Sequence, residues 1–496
     1  MLKLDKIYKL KSKYKEKLLE AMKNYEYGNM DEAITHTEQL SRAGRGDEAA
    51  KAYAINFIKY KLTNIITEED RNLIKSAVIA EYKLIQEQEQ YEYDKGGSYI
   101  TYHQLLYMYM KKGDREELEN LNLNAIDGMN AFSTVLYQET YGSGLIEPLM
   151  YLNINNIEVH GTRNIKIETN TGIWKTIKDI RYSKDIDIVR AAKKLLSQDD
   201  KEDITTSNCE MEGMLANNHR VSIALKPANK ENMIFIKKFD AVQIGTMDDL
   251  VENGTITLEM KEELEIYAEG RANICFIGGV NSGKTSSMRG FVGLIPDRYK
   301  LGIVEDDFET DWQDLFPEKD FVVLKKTEKY SLSDQFVRLL RMNRNILGIG
   351  EARGSEVEQW LEAATRGSDG SFMSLHTRTS HDFINNIAWM CLKNGIPVDM
   401  RILRYRIASA IDIVVRNWHA PDGSRIIDEV TEIVTIHDNL DVPYKINKIY
   451  AKDITTNKVR KVGAISKDLA EKFSYYNVSP EKLKKIGYEE KTNEVL

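Results

Sequence analysis

The stretch Gly278–Ser287, GGVNSGKTSS, follows directly on the apolar run Asn273–Ile277, NICFI. Gly278, four further residues, then Gly283, Lys284 and Thr285 give the spacing of a phosphate-binding loop, in the setting that loop requires: a strand before it and a helix-compatible segment after. Glycines let backbone amides turn inward and approach phosphate oxygens closely, at the positive end of the following helix. The candidate cradle is Gly278, Gly279, Val280, Asn281, Ser282, Gly283, Lys284, Thr285 and Ser286. In it Lys284 would reach the β- and γ-phosphates of ATP, and Thr285 would offer its hydroxyl to Mg2+.

Such a loop indicates nucleotide binding. Hydrolysis also needs a carboxylate that orients water on the γ-phosphate, expected at the C-terminal end of a strand adjacent to the loop strand. Two downstream stretches qualify. In LGIVEDDFE the apolar Leu301–Val304 runs into Glu305, Asp306 and Asp307, with Glu309 beyond; in NILGIGEARG a strand from Ile346 ends in Gly350 and Glu351. A third apolar run, GSFMSLHTR, ends in His376, placing an imidazole where a phosphate could be sensed.

Outside this block the chain is of ordinary globular composition, 42% hydrophobic and 29% charged. At 496 residues it exceeds one hydrophobic core, so about two to four domains are expected. No apolar run approaches the roughly 20 residues of a membrane helix, and the charged N-terminus does not read as a signal peptide, so a cytoplasmic location is expected. Cys209, Cys275 and Cys391 are far apart and form no CxxC pair, which excludes a tetracysteine zinc site and suggests buried thiols. A formal net charge of -8 argues against a general nucleic-acid binder.

Residues 1 to about 135 carry apolar residues at helical spacing, as in Leu4, Ile7, Leu10, Tyr14, Leu18 and Met22. Thr67 and Asp70 resemble a capping box, Gly96 and Gly97 a stop, and Tyr99, Tyr102 and Tyr109 an aromatic stripe that ordinary helix packing accounts for. This helical region offers no site chemistry, so contact with a partner or a neighbouring subunit is its expected role. Over 136–245 the pattern changes to short alternating runs, NNIEVHG, NIKIETNTGIW, HRVSIAL and NMIFIKKF, with NTG as a hairpin turn and DIVRAAKKLL as a helix, giving a small α+β domain. Helical segments from Met247 to Gly270 lead into the loop strand.

The order of glycine loop, acidic box, strand with GEARG, and then DGSFMSLH resembles the secretion ATPase superfamily that powers type II and type IV secretion and the assembly of type IV and tight-adherence pili. The resemblance covers about residues 140 to 440. LLRMNR at Leu339–Arg344, EARGSE at Glu351–Glu356 and YGSGLIEPLM at the start are similar to the family's flanking segments. It implies an α/β fold: a RecA-like P-loop ATPase domain over 246–440, preceded by a small α+β nucleotide-covering domain over 136–245 and the helical N-terminal region 1–135, with 441–496 as a C-terminal tail. It also implies a homo-hexamer at the cytoplasmic face of the membrane, docking on inner-membrane platform proteins. Lacking a tetracysteine insert, the chain is more similar to the type IV secretion and tight-adherence branch.

By the same resemblance Glu351 positions the attacking water, Glu305 and Asp306 hold the metal's water shell or help orient the nucleophile, and His376 and Arg220 report the γ-phosphate. Two departures stand out. An arginine pair of the covering domain reads Lys237 and Lys238, and lysine makes no bidentate fork to phosphate. The segment RGSDGS ahead of His376 carries Ser368 where many relatives have histidine. Turnover slower than in the relatives is therefore expected. The alternatives are a nucleotide-gated scaffold that barely hydrolyses and a RecA-like nucleic-acid translocase.

Overall fold

The computed structural model describes residues 4–488 except 24, 26–27, 29, 45–46, 87–97, 110–127, 171, 197–203, 206, 216–218, 239–245, 309, 311, 328 and 394–398. Glu309 and the Gly96–Gly97 stop therefore lie outside the described residues, as do the side chains of Leu4, Ile7 and Tyr109. The chain divides into two compact units, Met1–Val242 and Gln243–Leu496.

The first unit opens with four helices, α1 (Leu4–Lys23), α2 (Met30–Gly44), α3 (Glu48–Ile65) and α4 (Glu68–Gln86), joined later by α6 (Met129–Thr140). Their shared core takes Leu10, Tyr14 and Leu18 from α1, Ala54, Ile58 and Leu62 from α3, and Phe132 and Leu136 from α6, with Met22 packed at its edge. The helical spacing of the sequence is thus the spacing of this core. The capping box forms only by half. Thr67 Oγ1 accepts the Asp70 N–H at 3.2 Å, but the Thr67 N–H goes to the Tyr14 hydroxyl at 3.3 Å, and the Asp70 carboxylate accepts from Tyr14 Oη at 2.5 Å and Lys13 Nζ at 2.6 Å. A buried phenol from α1 has displaced the reciprocal bond.

The helical N-terminal region is not helical throughout. Tyr99–Ile100 forms β1, an edge strand parallel to β4 (Trp174–Ile177), and α5 (Tyr102–Tyr109) follows it. Tyr99 therefore sits exposed on a strand while Tyr102 opens a helix, so the three tyrosines form no single helical stripe. With β2 (Ile154–His160), β3 (Asn164–Thr169), β5 (Glu210–Met214), β6 (Arg220–Ala224) and β7 (Met233–Lys237), the sheet runs β1-β4-β3-β2-β7-β6-β5. Alternate residues such as Ile157, Val159, Val221, Ile223, Ile234 and Ile236 are buried in one core, together with Ile188 and Leu195 of α7 (Asp185–Leu196). The reading of NTG as a hairpin turn agrees with the antiparallel pairing of β3 and β4.

The second unit is a nine-stranded sheet in the order β10-β9-β11-β12-β8-β13-β14-β15-β16. The strands are β8 (Ile274–Gly278), β9 (Lys300–Glu305), β10 (Asp320–Lys325), β11 (Ile346–Ala352), β12 (Phe372–His376), β13 (Ile413–His419), β14 (Arg425–Thr435), β15 (Tyr444–Lys452) and β16 (Val459–Lys461). From β10 to β13 all neighbours are parallel, and from β13 to β16 antiparallel. Helices cover both faces. Ile274 and Phe276 enter one core, with α8 (Met247–Glu252), α9 (Leu258–Glu269) and α10 (Lys284–Leu294), while Cys275 and Ile277 enter the other. That two-sided burial is why NICFI is continuously apolar. Cys275 and Cys391 are buried thiols, whereas Cys209 is only half-buried.

Two expectations change here. The strand beside β8 on the catalytic side is β12, which carries His376; the strands of the acidic residues, β11 and β9, lie second and third from β8. The segment read as a tail is built into the sheet, because β15 pairs along β14 and buries Ile449 and Tyr450, and the helix Lys467–Tyr475 adds Leu469 and Phe473 to the same core.

Replacing Asp70 with alanine removes the acceptor of the buried Tyr14 hydroxyl and is expected to lower unfolding free energy by about 1–3 kcal/mol in urea titration. Lys13 and Tyr14 hold the Asp70 carboxyl down at about 2. Because the folded value is depressed, its stabilisation is present above pH about 4 and is lost as pH falls toward 2, so the wild type and variant should converge there.

Candidate functional site

In the phosphate loop, Asn281 (φ 57°) and Gly283 (φ 92°) are left-handed, and Gly278 takes φ 154° at the end of β8. A Cβ at Gly278 would come within 2.3 Å of the Asn417 carbonyl oxygen, so the loop cannot leave β8 at this angle with any other residue. A Cβ at Gly279 would meet nothing within 4 Å, and the loop's concave side is open there. Ser282 Oγ donates to the Gly279 carbonyl at 2.9 Å and closes the turn. Lys284, buried at the start of α10, folds back on the loop: its Nζ donates to the Gly279 carbonyl at 2.8 Å and to His376 Nδ1 at 3.2 Å.

His376 stands there because of register. β12 pairs with β8 so that His376 is opposite Gly278, and β11 pairs with β12 so that Ala352 is opposite Leu375. The ends of three parallel strands therefore lie along one edge. An ammonium can only donate, so His376 Nδ1 accepts from Lys284 and Nε2–H is left to donate to Glu351 Oε1, 3.1 Å away. Arg353 grips the same carboxylate with Nε and Nη2 at 3.0 Å each, and its Nη1 reaches Asp306 Oδ2 at 3.1 Å. Burial pushes the Glu351 carboxyl up, but the hydrogen bonds from His376 and Arg353 and the charge of Arg353 outweigh it and hold the group well below the usual carboxylate range. The site thus contains a carboxylate whose ionised form is favoured, in a continuous polar chain from the loop lysine to the acidic box.

Glu305 is buried and accepts from Trp312 Nε1 at 2.9 Å. It lies against the backbone of β11, since a Cβ at Gly350 would be 2.9 Å from Glu305 Cγ. That contact explains the glycine before Glu351. Thr285, Glu305, Asp306, Glu351 and Arg353 line one cleft. No group of three or more His, Cys, Asp or Glu converges to hold a metal among the described residues. A hydroxyl beside several carboxylates suits Mg2+, which keeps much of its water and takes phosphate oxygens as ligands.

The structure therefore brings together Gly278–Ser286, Glu305, Asp306, Glu351 and His376. Arg220 belongs to the first unit, where it is the cross-strand partner of Lys237 between β6 and β7. Lys238 faces the opposite way and is buried, donating to the Met150 and Leu152 carbonyls at 2.6 and 2.5 Å. It caps the end of a 3-10 helix, so of the two lysines that stand where many relatives have an arginine pair, Lys238 is occupied within the first unit. Asp369, at the far end of β12 from His376, is bound by Tyr476 Oη at 2.6 Å and Lys472 at 2.8 Å and is structural.

Sequence reasoning missed the brace on the other flank of the loop. Asn417, in β13 opposite Gly278, donates from Nδ2 to Ser287 Oγ at 2.5 Å, and Arg425 of β14 donates from Nε to the Asn281 carbonyl at 2.8 Å. The one signal was a polar residue closing the apolar run IVVRN; nothing marked Arg425, which depends on the hairpin.

A glycine loop at the end of a central parallel strand, with carboxylates at the ends of the second and third strands from it, defines a P-loop protein of the RecA-like class. The family described as Type II/IV secretion system protein matches residues 141–420, and the chain belongs to that family. Among its relatives, an uncharacterized protein of Bacillus anthracis is 25% identical over 202 residues, 36% of this chain and 45% of that protein. The type IV secretion system protein PtlH of Bordetella pertussis is 27% identical over 161 residues, 31% of this chain and 47% of PtlH. The chain thus spans just under half the length of these two relatives. Among solved structures, the Legionella pneumophila ATPase DotB aligns over 67% of this chain and 82% of DotB, at 15% identity and a TM-score of 0.41.

Because Arg425 holds the Asn281 carbonyl in place, Arg425→Ala is expected to weaken nucleotide binding about three- to tenfold in calorimetric titration, with lysine restoring part of the loss. An unchanged affinity would remove Arg425 from the brace.

Proposed function

We propose that the chain is the ATP-hydrolysing motor of a type IV secretion, conjugation or pilus assembly system. The observation that carries this reading is the unbroken chain Lys284–His376–Glu351–Arg353–Asp306, which links a phosphate loop to an ionised carboxylate. ATP is the substrate. Its phosphates take the loop amides from Gly279 to Lys284, and Lys284 exchanges the Gly279 carbonyl for phosphate oxygens, a stronger, charge-assisted pairing. Thr285, with Glu305 and Asp306 behind it, would hold Mg2+, which neutralises charge developing on the phosphates. Glu351 orients and polarises the attacking water, and His376 registers whether Lys284 is engaged with phosphate. Loss of the γ-phosphate shifts the balance between open and closed arrangements, with Arg220 of the first unit as the residue proposed to sense it. That shift is the work, delivered by a homo-hexamer at the cytoplasmic face to an inner-membrane platform.

A nucleotide-gated scaffold is the second reading. It is favoured by Arg353, whose two-point grip on Glu351 must loosen before that carboxylate can serve a water. Steady-state phosphate release separates the two: sustained turnover supports the motor, and ATP binding with no turnover supports the scaffold. In the motor reading, Glu351→Gln keeps ATP affinity and hydrolyses at least about a hundredfold more slowly, since the amide keeps the shape and loses the charge. Normal turnover in that variant would move the role to another carboxylate, with Glu305 next.

A further inference from the structure

A cleft of about 910 Å³ opens in the first unit, remote in sequence from the phosphate loop and the acidic strand ends. It falls within the size range of small-molecule sites, roughly 300–1,000 Å³. Its walls are α1, the end of α6, the segment Asp179–Lys184 and the face of α7. Six basic side chains line it, Lys15, Arg181, Lys184, Arg190, Lys193 and Lys194, against three acidic ones.

The three acids are already engaged. Glu139 faces Lys15 at 3.8 Å, Asp187 faces Arg190 at 3.2 Å, and Asp179 accepts the Tyr102 N–H at 2.7 Å. Arg181, Lys184 and Lys193 make no ion pair among the described residues. Helix electrostatics account for only part of this. Lys193 and Lys194 lie in the last turn of α7, where cations complement the dipole, but Lys184 immediately precedes its first residue, where a cation is unfavourable. Arg190, Lys193 and Lys194 also share a helix face at i, i+3 and i+4, an arrangement that costs stability unless something negative lies across it. Lys194 registers the crowding. Burial and then the charge of Lys15 push its ammonium down to about 8, although Nζ donates to the Glu139 and Thr140 carbonyls at 3.0 and 2.8 Å.

We propose that this cleft is a binding site for a phosphate-bearing anion. A phosphate carries up to two charges and several acceptor oxygens, enough to serve cations arriving from two directions, and the Arg181 guanidinium can take two of those oxygens at once. A monocarboxylate would leave most of the excess charge in place. The same chemistry is offered by a soluble phosphate ester and by the headgroup of an acidic phospholipid, and the two are distinguished by experiment.

The test is site-specific acetylation of Lys193 and Lys194 in the full chain at pH 8, followed by peptide mass spectrometry, because a bound anion raises the lysine pKa and covers the amine. Millimolar pyrophosphate, or vesicles of phosphatidylglycerol, should slow acetylation at least about threefold, while sodium chloride at matched ionic strength and phosphatidylcholine vesicles should not. Pyrophosphate protection assigns a soluble ligand, and protection by phosphatidylglycerol vesicles alone assigns a headgroup. The exposed pair Arg181→Gln and Lys184→Gln, shown folded by an unchanged melting temperature, should abolish protection. Lys284→Ala should retain it, which separates this cleft from the phosphate loop. Absence of protection by both probes, equal protection by chloride, survival in the double variant, or loss in Lys284→Ala would each overturn the proposal.

Discussion

Everything at the site depends on the parallel register of β11, β12 and β8, which ends three strands on one edge and sets His376 opposite Gly278. Backbone pairing, not side-chain attraction, brings Lys284, His376 and Glu351 together. A one-residue slip of β12 would turn the imidazole into a hydrophobic core and break the chain at its middle. The buried residues on both faces of β8 and β12 resist that slip, since Phe276, Ile277, Met373 and Leu375 are all fully enclosed.

The charges on that edge satisfy one another. Lys284 bonds to its own loop, Glu351 is shared between His376 and Arg353, and Arg353 reaches on to Asp306. Charge-assisted bonds of this kind contribute about 1.5–3 kcal/mol when buried and less where solvent reaches them, as it does at Arg353. In the proposed motor a triphosphate would replace several of them together, which would link occupancy of the loop to the freedom of the carboxylate. The brace from Asn417 and Arg425 keeps the other flank of the loop fixed while that exchange takes place.

Much of this was legible in the sequence where chemistry and local pattern coincide. The glycine loop, the acidic strand ends and His376 were readable because each ends an apolar run, and apolar runs are strands buried on both faces. What sequence could not supply was sheet order. Nothing in LGIVEDDFE or GSFMSLHTR says which of them lies beside β8, so Glu351 was expected one strand too near and Glu305 two. Contacts made by distant segments were equally hidden. The Tyr14 hydroxyl that takes over half of the Thr67 capping box comes from another helix, Lys238 is buried by a 3-10 helix nearly ninety positions earlier in the chain, and Arg425 meets Asn281 only through a hairpin. Strand β1, two residues long, is too short to have a period of its own.

The most direct test of the account is steady-state phosphate release from a chain carrying His376→Ala, with kcat and KM for ATP measured separately. If the imidazole couples the loop lysine to Glu351, kcat should fall at least about tenfold while KM changes by less than about threefold, because the loop that binds ATP is intact and the alignment of the carboxylate is lost. Wild-type kcat in that variant would mean that the loop and the carboxylate work independently, and the contacts of His376 with Lys284 and Glu351 would carry no function.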